Sequence, residues 1–368
     1  MGTFDESLRV ATQAAVAAGE RAVAVSSPNP PVGAAVLDAA GNLVATGATE
    51  PVGGRHAEAV ALDAAGGAAR GGTLVVTLEP CAHTGRTGPC TQRILDAGVA
   101  RVVYGVTDPN PVAAGGAEVL RDRGVDVRQD EVTLGVLANS EALRAWMHRQ
   151  ESGRPLVTWK YAASLDGFVA ASDGTSQWIT GEAAREHAHR QRELADAIIV
   201  GSGTLAADDP TLSARFPDGA PRPRSPLACV MGMTNVPADA AIRTSPGGFR
   251  HLRTRDPHEA LAMLPDALHV IVEGGPTVAG AFLAAGLVDH IDAYLAPILL
   301  GGGRGIAEGA DVGTLAAAHR FAVEYNEYLG EDVWIRLAPP RTGEPEYTWS
   351  MEPPGREPLD AAPLPDES

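Results

Sequence analysis

Short apolar runs rich in β-branched residues alternate with amphipathic stretches along most of the chain. In the first part, Leu74–Leu78, Val102–Val106 and Val125–Val127 read as strands, and Ala57–Ala65, Thr91–Ala97 and Ala117–Arg123 carry the spacing of helices. Strand and helix in alternation predict an α/β domain. A helical period continues over Val132–Gln150 and is broken by Glu151-Ser152-Gly153-Arg154-Pro155, which predicts a linker there. A second alternating run follows, with strands expected at Leu156–Tyr161, Ala197–Val200, Leu227–Met231, His269–Val272 and Ile291–Leu295. Its helices are expected near Glu182–Leu194, Pro257–Leu264 and Thr277–Ala285. The domains are therefore placed at residues 1–150 and 155–338, with no internal repeat of fixed period. From Pro339 to Ser368 there are eight prolines and seven acids but few large apolar residues, so this tail is expected to be disordered.

Composition narrows the function. The chain has 368 residues, 45% hydrophobic and 20% charged, which suits two globular cores. Its net charge of -17 repels nucleic acid and anionic lipid. No stretch approaches the roughly 20 apolar residues of a membrane helix, and Asp5 and Glu6 precede any basic residue, the wrong polarity for a secretory signal. A cytoplasmic location is expected. Three cysteines, Cys81, Cys90 and Cys229, make no paired framework and suit reduced thiols or metal ligands, with Cys229 in core packing. Of 29 basic residues only Lys160 is a lysine, which marks it as a candidate wherever a compact ammonium matters.

His56-Ala-Glu58 opens a predicted helix, Glu79-Pro80-Cys81 ends a predicted strand, and Cys90 follows nine positions on. One histidine and two cysteines form a three-ligand zinc set with the fourth position open, the catalytic stoichiometry. Glu58, two residues from a ligand, would carry protons between the water and a leaving amine. These motifs resemble the cytidine-deaminase superfamily. The eight residues between the cysteines, with Pro28-Asn29-Pro30 before and Asp108-Pro109-Asn110 after, narrow the resemblance to the deaminase half of the bifunctional riboflavin-biosynthesis family. That resemblance implies substrate contacts from Asn29, Arg86, Asp108 and Asn110, and gives His83 either a ligand-facing or a structural role. The chain departs from the family pattern at Thr49, where a histidine is usual, and at Gly88, where a proline is usual.

Lys160-Tyr-Ala162-Ala-Ser164-Leu-Asp166-Gly follows an apolar strand, and Val270-Ile-Val-Glu273-Gly274-Gly275 runs from strand into helix. Glycines there admit an anion to a helix N-terminus. With Ser176-Gln-Trp178, Gly201-Ser-Gly-Thr204 and Asp208-Asp209-Pro210, these resemble the family's reductase half, a dihydrofolate-reductase-like α/β domain that uses NADPH. The resemblance implies cofactor contacts from Ala162, Trp178, Thr204, Asp208 and the run Gly275, Pro276, Thr277, Val278, Ala279, Gly280 and Ala281. Substrate contacts fall on Ser176, Arg192, Leu212, Arg215 and Glu273. Arg192 and Arg215 suit a bidentate phosphate clamp; Trp178 equally suits a core. Lys160 would stabilise charge on the opened sugar or orient the substrate. Met231-Gly232 stands where the family has Asp-Ser.

The expected protein is a two-domain enzyme with zinc and NADPH as cofactors. It would deaminate a phosphorylated diaminopyrimidinone ribosylamine and then reduce its ribosyl chain. The family's members associate through their reductase halves, and apolar stretches such as Leu287–Leu300 suit such a contact or an internal core equally. The rivals are a chain with one active half, a nucleic-acid deaminase and a zinc-stabilised binding protein.

Overall fold

The computed structural model describes residues 2–82, 88–135, 142–310 and 312–340. The predicted disordered tail lies almost wholly outside these residues, as do His83 and Arg86. Two sheets carry the chain. The first has the order β2-β1-β3-β4-β5, formed by β1 (Gly33–Leu37), β2 (Leu43–Ala48), β3 (Thr73–Leu78), β4 (Arg101–Val106) and β5 (Asp126–Gln129). β1 is antiparallel to both neighbours, and β3, β4 and β5 are parallel.

Alternation along the strands explains the layers. Ala35, Leu37, Val75 and Val103 face α1 (Gly2–Ala22), while Ala34, Val36, Leu74, Val76 and Val102 face α2 (Ala57–Ala65), α3 (Cys90–Ala97) and α4 (Gly116–Asp122). Two glycines permit the approaches that matter for the site. A Cβ on Gly47 would lie 2.3 Å from the Ala57 carbonyl oxygen, so β2 sits directly against the start of α2. A Cβ on Gly116 would lie 1.7 Å from the Pro80 carbonyl oxygen, so α4 begins against the Pro80–Cys81 turn.

The second sheet has the order β10-β9-β8-β11-β6-β12-β15-β14. Its members are β6 (Leu156–Ser164), β8 (Ala197–Gly201), β9 (Leu227–Met231), β10 (Phe249–Leu252), β11 (His269–Val272), β12 (His290–Ala296), β14 (Ala322–Leu329) and β15 (Asp332–Ala338). The six from β10 to β12 are parallel, and β15 and β14 complete the sheet antiparallel. Central strands covered on both faces read as continuous apolar runs, as in Ala197-Ile-Ile-Val-Gly201, where all five residues are buried. The covering helices include α6 (Glu182–Leu194), α7 (Ser202–Asp208), α8 (Pro257–Ala262) and α9 (Pro276–Ala284). A small ribbon pairs β7 (Phe168–Ala170) with β13 (Arg304–Gly305). No helix of the described residues is long and apolar enough to cross a membrane.

The expected strands and helices appear within a few residues of their sequence positions, with one correction at the linker. Glu151 and Ser152 close the helix α5 (Arg144–Ser152), and the break falls at Gly153, whose φ of +74° ends the helix. Farther back, Glu131–Gly135 forms a π-helical turn, and residues 136–141 of the expected Val132–Gln150 helical stretch lie outside the described residues.

Candidate active sites

His56 is the residue before the first turn of α2, and its backbone is extended. Cys81 follows the end of β3, and Cys90 opens α3. The three ligand atoms lie within 4.8 Å of one another. His56 Nδ1 stands 3.3 Å from Cys90 Sγ and 3.7 Å from Cys81 Sγ. A tetrahedral zinc with Zn–S near 2.3 Å sets its donors about 3.5–3.8 Å apart, close to the two separations of His56 from the sulfurs, so the set fits zinc. The Cys90 backbone N–H also donates to Cys81 Sγ at 3.4 Å. The Cys90 thiol, that N–H and His56 together pull the Cys81 thiol down to about 4, whereas Cys81 and burial push Cys90 up. The pull on Cys81 favours the thiolate that a zinc ion takes as ligand.

Glu58 sits in the first turn of α2, 4% exposed, and burial raises its carboxyl above its ordinary value. Cys81, His56 and Glu58 lie at the buried end of a pocket of about 310 Å³. Asn29, Asp108 and Asn110 line the same pocket, so three of the four substrate candidates of this half converge there; Arg86 lies outside the described residues. Thr49, at the family's histidine position, also lines the pocket, and its hydroxyl accepts the Val32 N–H at 3.0 Å. Thr49 therefore braces the segment that carries Asn29.

Sequence reasoning quoted Glu79 but gave it no task. Its buried carboxylate accepts the N–H groups of Asp108 at 3.3 Å, Gly115 at 3.2 Å and Ala117 at 3.0 Å. It pins the loop with Asp108 and Asn110 to the end of β3 and meets the positive end of α4. Trp146 and Gln150 of α5, also missed, form another part of the wall.

The second cluster gathers at the carboxyl ends of parallel strands. Lys160 on β6 places its Nζ 3.5 Å from Glu273 Oε2, just after β11, and 5.5 Å from the centre of the Tyr294 ring. Arg192 near the end of α6 donates from Nε and Nη2 to the two Glu273 oxygens at 2.8 and 2.7 Å, and from Nη1 to the Ser213 carbonyl at 3.2 Å. Burial would raise the Glu273 carboxyl, but Arg192 and Lys160 outweigh it and hold it well below the ordinary range. The planar fork of Arg192, expected to clamp a phosphate, is engaged here by Glu273 and the Ser213 carbonyl. Arg215 is exposed, and its backbone N–H donates to His189 Nδ1 at 3.3 Å. His189, which sequence reasoning missed, is lowered to about 4 by burial and by Arg192 and Arg215.

The turns after β8, β9 and β11 lie side by side, because these strands are neighbours or next neighbours in the sheet. Crevices at such carboxyl ends are where open α/β sheets take ligands. Gly201 ends β8, Gly203 has open space where a Cβ would stand, and the Gly275 N–H donates to Thr204 Oγ1 at 3.1 Å. Gly232 follows β9 at φ +143°, and its carbonyl accepts from His251 Nε2 at 2.8 Å. That backbone excludes the family's serine without strain, a physical reason for the Met231-Gly232 departure. Arg304, another missed residue, has a guanidinium nitrogen 3.8 Å from where a Gly275 Cβ would be. Glycine turns, a helix start and a cation suit the phosphates of NADPH.

Within the run 275–281, Gly275, Thr277, Val278 and Ala281 keep some exposure, whereas Pro276, Ala279 and Gly280 are buried. Ala279 packs with Phe282 in the core, and a Cβ on Gly280 would lie 1.7 Å from the Glu308 carbonyl oxygen. Ala279 and Gly280 therefore pack the segment against the core, and its accessible positions are Gly275, Thr277, Val278 and Ala281. Leu212 is similar: its side chain is 4% exposed among Val230 and Ile242, and its φ of +56° leaves only backbone to offer a ligand. Trp178 is 69% exposed with the Arg185 guanidinium 4.8 Å from its ring centre, which removes the core-aromatic alternative. Ser176 is half-buried on the same loop, Ala162 half-buried on β6, and Asp208 exposed at the end of α7.

Comparison with known proteins agrees with both halves. Residues 5–106 match the cytidine and deoxycytidylate deaminase zinc-binding region, and residues 155–329 match the RibD C-terminal domain. The chain is 48% identical over 313 residues to the riboflavin biosynthesis protein RibD of Mycobacterium tuberculosis, covering 84% of this chain and 91% of that one. It is 49% identical over 297 residues to RibD of Corynebacterium ammoniagenes, covering 80% and 87%. Acinetobacter baumannii RibD superposes with a TM-score of 0.80 at 31% identity, covering 91% of this chain and 99% of that structure. With its zinc-fitting triad at one sheet and its glycine-lined crevice at the other, the chain belongs to the RibD family of two-domain deaminase-reductases.

Proposed function

We propose that the chain deaminates diaminohydroxyphosphoribosylaminopyrimidine and reduces the product, 5-amino-6-(5-phosphoribosylamino)uracil. These are the two activities in the name of a Thermotoga maritima structure that superposes with a TM-score of 0.81 at 28% identity, covering 91% of this chain and 99% of that one. The observation that carries the reading is the placement of a buried carboxyl, Glu58, in one pocket with a donor set that fits zinc. A structural metal site needs no such group. Zinc bound by His56, Cys81 and Cys90 supplies a water made nucleophilic at neutral pH, and NADPH supplies hydride to the second site.

The chain's own residues do the rest. Glu58, buried and inclined to hold a proton, takes one from the attacking water and returns it to the departing amine. Asn29, Asp108 and Asn110 orient the pyrimidine and its ribose in the pocket, with Glu79 fixing the loop that bears the last two. In the second site Lys160 faces the ribosyl carbon undergoing reduction, Arg192 and Glu273 act as one rigid pair beside it, and Arg215 reaches for the phosphate. Ser176, Trp178, Thr204, Asp208 and the accessible part of 275–281 frame the NADPH crevice, with Ala162 beneath it.

Association through the second sheet is part of the proposal. Its edge strand β14 exposes seven of its eight residues, including Tyr325 and Tyr328, and Leu165, Leu299 and Leu315 are also exposed on this half. Mass spectrometry of products formed from the diaminopyrimidine ribosylamine phosphate tests the function. Loss of the amine without NADPH and a further gain of two hydrogens with it is expected; an unchanged substrate under both conditions would refute it.

A further inference from the structure

The helix α5 is shared between the two halves in a way their separate chemistries do not require. One set of its side chains serves the first pocket: Trp146, 4% exposed, and Gln150, exposed at the mouth, both line it. Another set is fastened to the second half. Arg149 donates to the carbonyls of Ala267 at 2.8 Å and Pro265 at 2.5 Å. Arg144 donates to Glu324 at 3.0 Å and contacts His290 at 3.2 Å. Leu268, between the Arg149 acceptors and β11, packs inside the core of the first half together with Leu143 and Trp146. The wall of the first pocket is thus held on anchors that belong to the second sheet.

We propose that Gln150 is a substrate-binding residue of the deaminase and that the reductase half positions it through Arg149. This rests on the reading of the pocket as the deamination site. Exposure along the lining assigns the chemistry. Cys81 and Glu58, beside the zinc-fitting set that the amine-bearing ring carbon must reach, are buried, while Gln150 on the same lining is exposed. The part of the substrate left at the mouth is the hydroxylated ribose phosphate. A carboxamide offers one acceptor and two donors to such a group without adding charge. Gln150 has no hydrogen-bond partner among the described residues, so its amide is available for that contact. Trp146, buried one turn earlier on the same helix, lines the pocket with it. The first half therefore acquires its full substrate affinity only with the second half attached, which gives a physical reason for the two activities to share one chain.

The test uses the full chain and measures both activities, bound zinc and unfolding. Gln150→Ala should raise the deaminase KM about three- to ten-fold, the value of one net hydrogen bond, with kcat within two-fold. Arg149→Gln, which touches no pocket atom, should shift the same KM in the same direction. Reductase kinetics and zinc stoichiometry should stay at wild-type values in both. An unmoved deaminase KM in Gln150→Ala overturns the substrate contact. A deaminase KM unmoved in Arg149→Gln while Gln150→Ala raises it overturns the coupling. Deamination by the wild-type chain in the same assay separates these results from failure of the pocket reading, since an inactive wild type removes that reading itself.

Discussion

Glu273→Gln isolates the most heavily engaged charge in the second site. The carboxylate side chain is 10% exposed, Arg192 is 16% exposed and Lys160 18%, so solvent screens this cluster little. Glu273 receives two hydrogen bonds from Arg192 and an ammonium at 3.5 Å. Breaking a buried pair by removing one partner typically costs about 3–5 kcal/mol, because the remaining charge is left desolvated. Glutamine keeps one acceptor oxygen and restores part of this, so a loss of about 2–4 kcal/mol is expected at pH 7. The carboxyl's folded pKa lies below its ordinary 4.5, so its contribution is present above pH 4.5 and is lost as pH falls toward the folded value. The difference between wild type and variant should therefore shrink below pH 4.5. Urea unfolding followed by Trp fluorescence at pH 7 and pH 4 reads both quantities. Deamination at pH 7 should persist, since Glu273 lies on the other sheet. A loss below 1 kcal/mol at pH 7, or a difference that grows on acidification, would refute the argument that Arg192 and Lys160 depend on this one carboxylate.

Three further outcomes are expected. Glu58→Gln should lower deaminase kcat by about 10²–10⁴ with bound zinc unchanged by atomic absorption, as expected for a lost proton carrier; loss of the metal in this variant would make Glu58 a structural prop instead. Glu79→Gln keeps the shape but turns an amide N–H₂ toward backbone donors that a carboxylate satisfied, so it should cost about 2 kcal/mol and raise the deaminase KM while sparing the reductase. Acid should weaken the seam between the halves: burial and Arg144 hold His290 at about 3, and burial holds His269 at about 4, against an unfolded value of 6.5. Both stay neutral in the fold while the unfolded chain takes up protons, so stability falls below pH 6.5, by about 2 kcal/mol for each at pH 5. His290→Gln should flatten the pH dependence of the urea midpoint between 7.5 and 5, and an unaltered slope would count against it.

What could be read in the chain beforehand follows the physics of each element. Strands such as β8, and β11 after His269, announce themselves because both faces are covered and the run is apolar. β14, Ala-Val-Glu-Tyr-Asn-Glu-Tyr-Leu, does not, because a solvated edge strand is held by backbone pairing to β15 and needs little apolar content. β1 and β2 were missed for another reason: Gly33-Ala-Ala and Ala45-Thr-Gly47-Ala are small because helices α1 and α2 press close against them, and small residues carry a weak strand signal. The zinc-fitting triad was legible because its ligands sit at fixed offsets within elements that the pattern places. The closure of Arg192 on Glu273 was not, since 81 residues separate them and only sheet order brings them together. The same holds for Gln150, whose task depends on where α5 lands.

The closure of Arg192 bears on how so acidic a chain holds phosphorylated ligands. With a net charge of -17, the protein as a whole repels a phosphate monoester. Beyond about 8 Å, however, that repulsion is largely screened at physiological salt, and the field at a site is set by its nearest groups. Lys160, Arg192 and Arg215 oppose the single carboxylate of Glu273, and neutral His189 adds no charge of either sign. The second site is locally positive although the chain as a whole is acidic. With Arg192 and Lys160 sharing the one carboxylate of Glu273, the three cations leave a net positive charge at the site. Losing Glu273 would make the site more positive yet less ordered. Phosphate affinity and positional accuracy should accordingly part company in Glu273→Gln, the first holding or rising while the reductase kcat falls.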